Sequence, residues 1–73
     1  MPEYIRIRII RRSTKKLNEL KSYQEQLVNL EKHILPEYQD EHANKIMKTQ
    51  FWMDYHQARI RMHAAYLNLQ RAL

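Results

Sequence analysis

The stretch PEYQDEHANKIMKTQFWMDYHQARIRMHAAYLNLQRAL, residues 36–73, decides the fold. It has the signs of one long helix. Pro36 suits a first helical turn, where its missing N–H would have no partner anyway. Glu37, Asp40 and Glu41 then set negative charge against the positive end of the helix dipole. Glu41 and Lys45 form a well-oriented i,i+4 pair. At ~1.5 Å per residue the helix would be roughly 55 Å long. Its apolar pattern is double. Met47, Phe51, Tyr55, Ala58, Met62, Ala65, Leu69 and Leu73 follow steps of three and four and make one stripe. Ile46, Met53, Ile60 and Leu67 recur every seven residues and make a second, roughly opposite the first. A helix with two apolar faces needs two surfaces to pack against.

Upstream, Leu17, Leu20, Tyr23, Leu27, Leu30 and Ile34 repeat the three-four rhythm and predict a helix over 14–34. Leu35 precedes Pro36 and is pushed out of helical geometry, which ends that helix. So short a connection turns the two helices into an antiparallel hairpin. A helix over 14–34 is roughly 32 Å long and, folded back, would reach only to about residue 57 of its partner. The apolar residues beyond, among them Ile60, Met62, Tyr66, Leu67 and Leu69, would stay uncovered, and they are the expected protein interface.

The first twelve residues are a basic arm. Ile5, Ile7 and Ile9 alternate with Arg6 and Arg8, the period of a half-buried strand, and the isoleucines make no stripe when plotted on a helix. The alternation predicts a short β-strand. The alternative is one continuous helix from Pro2 to Ile34, which would spare Lys15 and Lys16 an unfavourable place in a first turn. A lone strand needs a partner. The expected fold is therefore mostly all-α: an antiparallel two-helix hairpin, one domain over 1–73, with a basic arm over 1–12, paired with a second copy or docked on another protein.

Composition agrees. A 73-residue chain without cysteine has neither disulfides nor thiolate metal sites to support a small core. Glycine is also missing, which argues against tight hairpins and phosphate-cradling loops. No apolar run approaches the ~20 residues that span a bilayer. A cytoplasmic location is expected. The net charge is +5, and all of it lies in residues 1–16, where Arg6, Arg8, Arg11, Arg12, Lys15 and Lys16 face Glu3 alone. Residues 17–73 carry seven basic and seven acidic side chains. Those six cations are the expected contacts to an anionic partner, nucleic acid included.

The order of basic strand and two helices resembles the ribbon-helix-helix repressors over residues 4–12. That resemblance implies a two-stranded ribbon from two copies, with Arg6 and Arg8 reading base edges in the major groove. The Leu35-Pro36 connection lacks that family's glycine turn, and both helices are longer. Pro2 followed by an alternating stretch is similar to tautomerases with an N-terminal proline base, but residues 36–73 hold no second strand for that fold.

Trp52, His56, Arg59 and His63 form a further polar stripe, readable as a secondary binding surface or as a solvated face. Metal binding is not expected: His56 and His63 are seven residues apart, while zinc ligands on one helix sit three or four apart. No hydroxyl lies in a nucleophile motif, and the early acids are accounted for by the helix dipole. Neither catalysis, a cofactor nor a small-molecule substrate is expected. The readings that remain are a non-enzymatic adaptor or inhibitor, a dimeric nucleic-acid binder and a structural subunit of an oligomer.

Overall fold

The computed structural model describes residues 1–73 as two long helices and no strand. Helix α1 runs Glu3–Leu30 and helix α2 runs Gln39–Ala72. A 3₁₀ turn over Glu31–His33, extended Ile34 and Leu35, and a second 3₁₀ turn over Pro36–Tyr38 join them. Leu35 sits at φ −61° and ψ 146°, the extended geometry that a following proline imposes. The helices pack antiparallel into a rod of 56 × 15 × 14 Å. The hairpin expected from the sequence is present.

The N-terminal arm is not a strand. Residues 3–12 are the first turns of α1, so the helix predicted to begin at residue 14 begins at Glu3. A solitary strand would leave its backbone N–H and C=O groups without a ladder, whereas a helix satisfies them within itself. The start is also held by the far end of α2. Gln70 Nε2 donates to the Met1 carbonyl at 2.9 Å, and the Arg71 guanidinium donates to Glu3 Oε1 at 2.6 and 2.9 Å. Lys15 and Lys16 now lie in mid-helix, clear of the dipole conflict. The ribbon form of nucleic-acid binding falls with the strand.

This longer α1 changes what is covered. At ~1.5 Å per residue its 28 residues span about 42 Å, and they run alongside α2 as far as Arg71. Ile60 is half-buried and Leu67 is buried, so these two expected interface residues serve the hairpin itself. Met62, Tyr66 and Leu69 stay exposed.

The seam between the helices repeats every seven residues. On α2 it is His42, Ile46, Thr49, Met53, His56, Ile60, His63 and Leu67, in steps of four and three. On α1 it is Arg6, Ile10, Ser13, Leu17, Leu20, Gln24 and Leu27. This is the a/d spacing of a coiled coil. About half of these positions are polar. The fully enclosed part is small: only Leu17, Leu27 and Leu67 among apolar residues are buried, each 7–8 % exposed, beside Ser13, His42, Thr49 and His63. Thr49 satisfies its hydroxyl by donating to the Lys45 carbonyl at 2.7 Å.

Because residues 3–12 are helical, a proline there is costly: it removes an i→i−4 bond and clashes with the preceding turn. Ile9→Pro is expected to destabilise the chain by about 3 kcal/mol and to reduce its helical signal. Thermal melts followed by far-UV circular dichroism check this; an unchanged melt would put residues 3–12 outside the helix.

Candidate functional site

Two long surfaces face away from the seam, one on each helix. On α2 the outer face holds Phe51, Tyr55, Ala58, Met62, Ala65, Leu69 and Ala72, again in steps of four and three. Met47 and Leu73 extend it at the two ends. All nine are exposed; Met62 is 50 %, Leu69 56 % and Phe51 63 % accessible. Turning roughly 100° per residue puts this stripe about opposite the seam, so α1 cannot reach it. Trp52 borders it and stacks edge-on against Phe51 and Tyr55, at centroid distances of 5.5 and 5.6 Å. Contiguous exposed apolar surface of this extent is uncommon on monomeric proteins.

On α1 the outer face is cationic. Arg8, Arg11, Arg12, Lys15 and Lys16 are all exposed and none of them forms an ion pair. The structure's two ion pairs are Lys45–Glu41 and Arg71–Glu3. Tyr4, Ile7, Arg8, Arg11 and Arg12 line a shallow cleft within this strip.

The sixth expected cation, Arg6, is used inside the fold. Its Nε donates to Gln70 Oε1 at 2.8 Å, and its NH1 lies 3.2 Å from His63 Nδ1. Its guanidinium carbon sits 4.7 Å from the Tyr66 ring centroid, a cation–π contact. With Nε and NH1 engaged by α2, Arg6 links the two helix ends. The stripe of Trp52, His56, Arg59 and His63 is likewise divided. His63 is buried in the seam, His56 and Arg59 are half-buried, and Trp52 alone remains exposed. Arg59 NH1 donates to the Tyr55 hydroxyl at 3.1 Å.

The histidines were the least legible group. His42, His56 and His63 occupy seam positions seven apart, with Thr49 completing the series. His42 Nε2 and His56 Nδ1 are buried without a hydrogen-bond partner. His33 and His42 both line an open cleft of about 330 Å³ at the hairpin bend, with Tyr38 and Glu41. No three His, Asp or Glu side chains come close enough to hold a metal ion. No helix is long and apolar enough to cross a membrane.

Burial of the ring, with the positive charges of Arg6 and then Arg59 adding to it, holds the His63 pKa below the ordinary 6.5. Comparison with protein families, with curated proteins and with solved structures finds no match.

A histidine with a lowered folded pKa binds protons more weakly in the folded chain than in the unfolded one. Its contribution to stability is complete above about pH 6.5 and declines as the pH falls below that value. The melting temperature is expected to drop between pH 7.5 and pH 5.5. His63→Gln, which keeps an acceptor for Arg6, is expected to flatten that drop. A melting curve measured across this range checks it, and an equal slope in both proteins would remove His63 as the titrating group.

Proposed function

We propose that the chain is a small non-enzymatic interaction module of adaptor or inhibitor type. It docks a protein on the outer face of α2 and turns the cationic strip of α1 towards an anionic surface. The observation that carries this reading is the exposed stripe Phe51–Tyr55–Ala58–Met62–Ala65–Leu69, which has heptad spacing. A face with coiled-coil periodicity is the kind that accepts another helix in its grooves. Of the expected interface residues, Met62, Tyr66 and Leu69 remain in this role. The seam supports it from the other side. With three buried apolar residues, the hairpin draws little stability from its own core.

Affinity capture with the immobilised full chain tests the proposal. Proteins retained by the unaltered chain are expected to be lost when Met62→Lys and Leu69→Lys are introduced together, and kept when Arg8 and Arg12 become alanine. The same proteins retained by all three would remove the α2 face from the function.

A second reading has its own observation, the five unpaired cations on one face of α1. A protein that neutralises five phosphates loses affinity for duplex DNA with a log–log salt slope of about −4.5. Binding to a short duplex would then weaken about 500-fold between 50 and 200 mM salt. Fluorescence anisotropy at the two concentrations separates the readings. A change below about tenfold, or no binding at 50 mM, rules out phosphate contact as the function of the strip.

A further inference from the structure

We propose that the outer face of α2 is filled by a second copy of the same face, antiparallel, about a two-fold axis between Tyr55 and Ala58. The inference rests on the reading of that face as a docking surface and names its occupant.

Three observations support a second copy. The first is area. The chain exposes 6023 Å², whereas a compact monomer of 9.1 kDa exposes roughly 4,900 Å². The excess, about 1,100 Å², is more than the ~800 Å² that each partner buries in a standard interface. The uncovered stripe that a second copy would cover runs from Phe51 to Leu69.

The second is size alternation. One heptad position carries Phe51, Ala58, Ala65 and Ala72, and the other carries Tyr55, Met62 and Leu69. In an antiparallel pair each layer joins one position to the other, so a small residue can meet a large one. With the axis between Tyr55 and Ala58, Tyr55 faces Ala58 of the second copy, large against small, at the two central layers, and Phe51 faces its Met62, two large apolar side chains, in the layers outside them. The Lys48 stem falls against its Ala65, with the ammonium at the edge in water. The outermost layer sets Leu69 against the exposed Asn44 of the second copy, whose amide stays in water where the pairing ends. A parallel pair would instead stack tyrosine on tyrosine in one layer and alanine on alanine in the next, leaving gaps beside the small layers.

The third is charge. Asp54 and Arg61 flank the stripe on the same side, both are exposed, and neither is in an ion pair. The antiparallel register brings Asp54 of each copy beside Arg61 of the other, so the two-fold axis makes two such pairs. Moving the axis half a heptad towards the C-terminus would set Arg61 beside Arg61 instead, so charge selects this register over its neighbour. Asp54 is held for this by Gln50, whose amide donates to its carboxylate at 2.9 Å.

The test is the solution mass of the full chain by light scattering, across roughly 1 to 100 µM, together with a charge exchange. The expected mass is twice 9.1 kDa at the upper concentrations. Asp54→Arg alone and Arg61→Asp alone each place like charges together twice, and each is expected to raise the dissociation constant about tenfold. The double exchange, Asp54→Arg with Arg61→Asp, is expected to restore it. Ala58→Glu is expected to give a monomer that keeps its helical signal.

A monomer at every concentration overturns the self-pairing. The docking reading then stands or falls separately, on whether Met62→Lys with Leu69→Lys changes what the chain captures. A dimer indifferent to both single charge changes overturns the antiparallel register.

Discussion

Two antiparallel helices can cover only one face of each other, and everything else in this molecule is shaped by that limit. Helix α1 shields one side of α2 and nothing shields the other. The chain has no third long helix, no cysteine for a disulfide and no cluster of three metal-ligating side chains to make up the difference. Two apolar stripes on α2 therefore have two fates. The stripe with the histidines is enclosed, and the stripe with the larger apolar side chains meets water. This is the reverse of what burying the greasier surface first would produce.

The rotation of α2 has a physical reason at its C-terminal end. Arg6 lies in the α1 seam and needs acceptors. The observed rotation gives it Gln70, His63 and the face of Tyr66. Turning Met62 or Leu69 inward would press the half-buried guanidinium against an apolar wall and take away its acceptors. The polar contacts also fix how the helices slide. Glu3 meets Arg71 at one end and Gln24 Nε2 donates to Gln50 Oε1 at 3.0 Å near the middle, so a slip of one heptad would break both. Directional bonds of this kind specify register where apolar contacts alone would tolerate several.

That same chemistry explains what was legible in the sequence. The long second helix, the bend at Leu35-Pro36 and the double periodicity of α2 are written in proline, early acids and apolar spacing. The seam is written in a mixed alphabet. Ile46, Met53, Ile60 and Leu67 were visible as a stripe every seven residues, but their seam neighbours are His42, Thr49, His56 and His63, which apolar spacing does not select. In α1 the positions that continue the heptad past Leu17 are Ser13, Ile10 and Arg6, so the pattern fades just where the isoleucines and arginines alternate. Alternation was the stronger local signal, and helix continuity prevailed because it meets the backbone's hydrogen-bonding demand without a second chain. Reading positions seven apart regardless of polarity would have recovered both seams. The cationic strip was legible from charge alone, except Arg6, whose acceptors lie more than fifty residues away in sequence.

The cationic strip of α1 points away from α2, on the far edge of the rod. Anything seated on the outer face of α2 leaves the strip in water, so the two surfaces do not compete for space. Their binding free energies can add, and a body held at one surface is presented to the other at a high effective concentration. On the proposed reading, two non-overlapping surfaces on opposite edges of a 73-residue chain would let weak contact at each edge add up to strong retention when both are engaged at once.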